Sequence, residues 1–169
     1  MKIVITGFMG SGKTRLAREL ARRLNLEMVD LDDRVTRREG RSPAQLIVDE
    51  GEDAFRSIES DVLRELLDTD GTDVIALGGG AWIVEANRQL IDEYGCLSIW
   101  LDTPFEVCWA RIETSGDDRP LGKTRDEAKT RYAQRKPIYQ LAKIHVEVTD
   151  EVDLDSVIAR IKNAADKRG

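Results

Sequence analysis

Short β-branched runs alternate with helical periods along this chain. Ile3-Val4-Ile5, Met28-Val29, Val74-Ile75-Ala76-Leu77, Leu97-Ser98-Ile99-Trp100-Leu101 and His145-Val146-Glu147-Val148 have the length and composition of five strands. Amphipathic stretches separate them. From Thr14 to Leu24, apolar Leu16, Leu20 and Leu24 recur at four-residue spacing, and Arg15, Arg18, Arg22 and Arg23 fall largely on the outer face. A second stripe of Phe55, Ile58, Val62 and Leu66 follows Ser42-Pro43, which has the form of an N-cap and a first-turn proline. This alternation predicts an α/β fold: right-handed βαβ crossovers and a parallel sheet covered on both faces. Ligands of such sheets sit at the carboxyl ends of the strands, where the chemistry-bearing residues of this chain fall.

The first strand runs into Gly7-Phe8-Met9-Gly10-Ser11-Gly12-Lys13-Thr14, the pattern of a glycine, four residues, then Gly-Lys-Thr, and a helix follows it. Glycines let successive N–H groups turn inward around phosphate oxygens, and the start of the helix adds its positive end. Lys13 supplies a cation for the β and γ phosphates, and the hydroxyl of Thr14 suits Mg²⁺, which takes oxygen donors. A glycine-rich turn that happens to precede a lysine is the plain alternative, and the strand and helix flanks argue against it.

Asp30-Leu31-Asp32 closes the second strand, where a period of two sends both carboxylates to the same side. One could orient water around a metal while the other meets a substrate hydroxyl; a solvated acidic turn capping the next helix is the bland alternative. Arg56 and Glu59 are neighbours three apart on one helix, by default a surface ion pair worth little. The third strand ends in Gly78-Gly79-Gly80, more glycine than a turn demands, which allows something to approach the backbone closely and offers N–H donors. Residues 114–123 are polar and interrupted by glycine and proline, as a mobile flap carrying Arg119 would be. Arg135 follows on a helix expected to break at Pro137.

Composition narrows the possibilities. The chain has 169 residues, 26 basic and 32 acidic, a formal net charge of −6 and 41% hydrophobic residues. That is one domain's worth, and a domain of this size buries roughly 70% of the surface its unfolded chain exposes, so disorder is excluded. The acidic balance argues against a general nucleic-acid binder. The charge-free run Val74–Val84 falls short of the ~20 apolar residues of a membrane helix, and Met1–Gly7 fits a first strand better than a secretory segment. A cytoplasmic location is therefore expected. Cys96 and Cys108 are expected to be buried thiols, and His145 structural or exposed.

Taken together, the phosphate loop, Asp30-Leu31-Asp32, Phe55-Arg56-Ser57-Ile58-Glu59, Leu77-Gly78-Gly79-Gly80-Ala81, Arg119-Pro120-Leu121 and Arg135-Lys136-Pro137-Ile138-Tyr139 resemble the shikimate kinase family, within the nucleoside-monophosphate-kinase-like P-loop proteins. The match covers nearly the whole chain in the family's order. The resemblance implies a three-layer P-loop fold with a five-stranded parallel sheet, a single domain over 1–169, a lid at about 113–124 and substrate-binding helices at about 31–62. It implies transfer of the ATP γ-phosphoryl group to the 3-hydroxyl of shikimate, in aromatic amino acid biosynthesis, with Mg²⁺ and with ATP and shikimate as the small-molecule partners of a monomer.

By the same resemblance Gly10, Ser11, Gly12, Lys13, Thr14 and Arg15 hold the ATP phosphates, Thr14 binds Mg²⁺ directly and Asp30 does so through water. Asp32 holds the shikimate hydroxyls and accepts the proton. Arg56, Gly79 and Arg135 bind the substrate, the arginines gripping its carboxylate, and Glu59 steadies Arg56. Arg119 reaches the phosphates, so that Lys13, Asp32 and Arg119 form the catalytic set. The chain departs from the family pattern at Arg15, where Ser or Thr is common, at Ile47, where an aromatic often lines the pocket, and at Trp82. No adenine contact is assigned in Thr149–Val152. A gluconate-type kinase and a nucleotide-binding regulator without catalysis are the competing readings.

Overall fold

The computed structural model describes residues 1–115, 124–149 and 152–166. Strands β1 (Ile3–Thr6), β2 (Met28–Asp30), β3 (Val74–Ala76), β4 (Leu97–Asp102) and β5 (Ile144–Glu147) form one sheet in the order β2-β3-β1-β4-β5. Every pairing is parallel, so helical crossovers connect the strands. The helices are α1 (Lys13–Leu24), α2 (Leu31–Glu39), α3 (Pro43–Glu50), α4 (Glu52–Asp68), α5 (Glu85–Glu93), α6 (Phe105–Ser115), α7 (Arg125–Tyr139) and α8 (Leu154–Asp166), with a short 3-10 turn at Ala81–Ile83.

Alternating side chains of the strands feed two cores. Ile3 and Ile5 of β1 join Leu16 and Leu20 of α1 and Val157 and Ile161 of α8 on one face. Val4, between them, joins Leu31, Phe55, Val62 and Tyr139 on the other. A strand buried on both faces has to be apolar throughout, which is why Ile3-Val4-Ile5 shows no polar alternation. Cys96 and Cys108 are buried thiols, as expected. Among the described residues no helix is long and apolar enough to cross a membrane.

The chain leaves β1 for β2 and β3 on one side of it, then crosses to β4 on the other. Direction thus reverses at β1, whose carboxyl end is the crevice where α/β sheets bind ligands, and the phosphate loop occupies that position.

Three local expectations change. The Ser42 cap and the apolar stripe from Phe55 to Leu66 belong to different helices: Ser42 caps α3 in a full capping box with Gln45, and Gly51, at φ 93°, ends it before α4, which carries the stripe, begins. Helix α7 runs through Pro137 and ends at Tyr139. Only Ile138 and Tyr139 follow the proline, so the hydrogen bond it removes and the pressure of its ring on the Ala133 carbonyl disturb the final turn and leave the rest of the helix intact. Finally, β2 stops at Asp30 and Leu31 already starts α2. Asp30 and Asp32 are therefore not alternate residues of a strand; Asp30 is the N-cap of the helix that carries Asp32.

Candidate active site

Gly10, at φ 74°, lies in the left-handed region, and a Cβ there would stand 2.6 Å from the Cys108 carbonyl oxygen. Only glycine satisfies both constraints. Gly12 precedes α1 with no side chain capping the first turn, so the helix's leading N–H groups face outward, available to an anion. Lys13 is buried, and its ammonium donates to the Phe8 carbonyl at 2.9 Å, which holds it folded back across its own loop.

The Thr14 hydroxyl donates to Asp30 Oδ2 at 2.6 Å, while Asp30 Oδ1 accepts from the Asp32 N–H at 3.0 Å. A single carboxylate thus caps α2 and joins it to the phosphate loop. This puts a hydroxyl and a carboxylate oxygen side by side, hard donors of the kind magnesium takes. Lys13, Thr14, Arg15, Asp30, Asp32 and Gly79 line one cleft of about 260 Å³. Burial, and after it the charge of Asp30, push the Asp32 carboxyl up to about 6.

Each of the three consecutive glycines makes room for a different group. A Cβ on Gly78 would stand 2.6 Å from Asp32 Oδ1 and 2.7 Å from Glu59 Oε1, so the two carboxylates converge on that position. One on Gly79 would press on the Met9 N–H at 3.3 Å, against the phosphate loop. One on Gly80 would overlap the Arg56 guanidinium, 2.1 Å from Nη2. The close approach inferred from sequence is thus three approaches, one to each residue.

The Arg56–Glu59 pair is not a surface pair. Glu59 is fully buried, its Oε2 accepts from Arg56 Nη1 at 2.7 Å and its Oε1 has no hydrogen-bond partner. Burial pushes its carboxyl up to about 7, although Arg56 pulls the other way. Arg135 is 8% exposed, and Nη1 donates to the Gly79 carbonyl at 3.1 Å. Among the described residues no carboxylate pairs with it, and burial lowers its pKa. A buried cation without an acid is costly unless an anion arrives. Arg119 and most of the expected lid lie outside the described residues.

Other residues of the site were not legible beforehand. Thr103 Oγ1 donates to the Ser11 carbonyl at 2.9 Å, and Arg111 Nη1 donates to the Gly10 and Ser11 carbonyls at 3.2 and 3.1 Å, bracing the loop from β4 and α6. A second cavity of about 140 Å³ runs along Ser11, Arg15, Leu101, Arg111, Val148 and Val152; no short motif links these positions. Of the departures, Ile47 is partly buried against the main cluster, and Trp82 is a core residue that donates its indole N–H to the Ile138 carbonyl at 2.9 Å.

A parallel sheet, a phosphate loop at its switch point and an acid–arginine cluster beside that loop define a P-loop protein of the small-molecule kinase type. The comparisons with known proteins narrow the class. A profile described as shikimate kinase matches residues 9–166. The shikimate kinase of Salinibacter ruber is 38% identical over 95% of this chain and 82% of its own. The crystal structure of the Acinetobacter baumannii shikimate kinase in complex with shikimate covers 98% of this chain and 93% of that one, with a TM-score of 0.86 and 28% identity. The chain belongs to the shikimate kinase family. A gluconokinase from Sinorhizobium meliloti, 16% identical with a TM-score of 0.66, shares the fold alone.

Proposed function

We propose that this chain transfers the γ-phosphoryl group of ATP to the 3-hydroxyl of shikimate, giving shikimate 3-phosphate and ADP, and that the residues gathered at the strand ends divide the work as follows. The observation that carries the assignment of the acceptor side is Arg135, a buried guanidinium with no acid among the described residues, beside the cleft that also holds Asp32 and the phosphate loop. Such a site lacks one carboxylate, and shikimate brings one. Arg56, held by Glu59, faces the same glycine loop and supplies a second planar fork.

On the donor side, Lys13 exchanges the Phe8 carbonyl for phosphate oxygens, with the N–H groups from Gly10 to Arg15 around them. The base of ATP fits the cavity along Arg111, Val148 and Val152. Thr14 and Asp30 would hold magnesium, directly and through water, and the ion would draw charge from the β and γ phosphates. Asp32 orients the acceptor hydroxyl and takes its proton as the new P–O bond forms and the bond to the β-phosphate oxygen breaks. A carboxyl near 6 accepts that proton better than an ordinary aspartate while remaining mostly ionised at neutral pH. Arg119 would stabilise charge on the transferring group; phosphoryl transfer depends on positioning and electrostatics of this kind.

The reading includes a single kinase domain over 1–169, a lid at about 113–124, substrate helices at about 31–62 and a monomer acting in the cytoplasm. A coupled ADP-release assay with shikimate, gluconate or no acceptor tests it. Shikimate alone should stimulate turnover; ADP release that no acceptor increases refutes the assignment, and stimulation by gluconate alone transfers it to the other substrate.

A further inference from the structure

Tyr139 lies one helical turn beyond Arg135 on α7, and the two side chains converge on one acceptor. The Tyr139 hydroxyl donates to the Gly79 carbonyl at 2.5 Å and Arg135 Nη1 donates to the same oxygen at 3.1 Å. Tyr139 is 1% exposed, and its ring stacks on Trp100 with centroids 6.4 Å apart. The surrounding backbone is held independently. Trp82 ties the 3-10 turn to the Ile138 carbonyl, Asn87 donates to the Ala81 carbonyl and Arg88 to those of Trp82 and Ile83. The Leu77 N–H donates to the Ile5 carbonyl on the other side, so the glycine loop, flexible in isolation, is fixed on both flanks, and the Gly79 carbonyl points between two buried donors.

A carbonyl oxygen has two lone pairs and accepts both donors at once, and one of them is enough to keep it satisfied. On the proposed reading of the site, on which this inference rests, Arg135 turns to the substrate carboxylate. Without the Tyr139 hydroxyl the Gly79 carbonyl would then be left bare against buried side chains, and an unsatisfied polar group in such a place is costly. We propose that Tyr139 is a positioning residue for substrate binding: by keeping the Gly79 carbonyl satisfied and its peptide in place, it frees Arg135 to engage the carboxylate of shikimate. Burial pushes the phenol up to about 12, so it stays a donor throughout the working pH range.

The test is Tyr139→Phe, which keeps the ring and its stacking. KM for shikimate should rise about tenfold, with a much smaller change in kcat and in KM for ATP. The additional loss should vanish in an Arg135→Ala background, because there is no guanidinium left to release. Replacement of Tyr139 by 4-aminophenylalanine, which keeps a weaker donor at the ring tip, should give an intermediate KM, and this variant also carries the test if Tyr139→Phe does not fold. A folded Tyr139→Phe with unchanged KM for shikimate, or one whose loss is equally large in the Arg135→Ala background, overturns the inference. If Arg135→Ala alone leaves KM for shikimate unchanged, the reading of the site fails first, and this inference with it.

Discussion

Replacing Gly80 by alanine perturbs the acceptor site without removing a charge. Gly80 has φ −110° and ψ −15°, a conformation alanine adopts freely, so the backbone is not strained. The added Cβ would lie 2.1 Å from Arg56 Nη2, 2.3 Å from Cζ and 2.6 Å from Nη1. None of these is tolerable, and the guanidinium has to move. It is the tip of a flexible side chain that retains 17% exposure, so it can swing outward at modest cost to the fold; overpacking costs of about 1–3 kcal/mol bound the effect on stability from above. Moving it breaks the 2.7 Å bond to Glu59 and withdraws one fork from the substrate carboxylate. A hydrogen bond to a charged partner contributes about 1.5–3 kcal/mol, which corresponds to a rise in KM for shikimate of roughly ten- to 150-fold. Steady-state ADP release, varied first in shikimate and then in ATP, should show that rise with KM for ATP unchanged, while the melting temperature falls by a few degrees. A folded Gly80→Ala protein with the wild-type KM for shikimate would show that Arg56 does not act from this position.

The remaining predictions concern the acids and Arg119. Asp32→Asn should retain ATP affinity by calorimetry and lose at least about a hundredfold in kcat, the range of a lost general base; unchanged turnover refutes its role. Glu59, raised from 4.5 to about 7, makes the folded protein bind more protons than the unfolded chain between those values. Stability therefore falls as pH rises through that window. Glu59→Gln cannot ionise and should flatten the fall; melting curves from about pH 5 to about pH 8 that keep the wild-type slope contradict the assignment. Arg119→Ala should lower kcat with little change in KM for shikimate, and a change confined to that KM would move Arg119 to the acceptor side.

Much of this protein is written in short stretches of sequence. The phosphate loop, the Ser42 cap and the five strands were legible because each depends on residues within a few positions of one another: a helix-start hydrogen bond reaches three residues, and a strand buried on both faces is a short unbroken apolar run. Where two local patterns competed, the sequence alone misled. Asp30-Leu31-Asp32 fits the end of a strand as well as a capped helix start, and the Asp30 bonds to the Asp32 N–H and the Thr14 hydroxyl decide for the cap. Gly78-Gly79-Gly80 announced a close approach without naming the partners, because Asp32 reaches those glycines from α2, Arg56 and Glu59 from α4 and Met9 from the phosphate loop. Trp82 and Ile138 are 56 residues apart, and Gly79 and Tyr139 are 60 apart. The sequence by itself determined that a phosphate loop follows the first strand, since that motif is built from one loop and one helix start. Only the tertiary packing decided that Arg135 is buried with no carboxylate paired to it among the described residues and that one tyrosine shares its carbonyl. Burial and long-range pairing are properties of the packed chain, and no neighbouring residue encodes them.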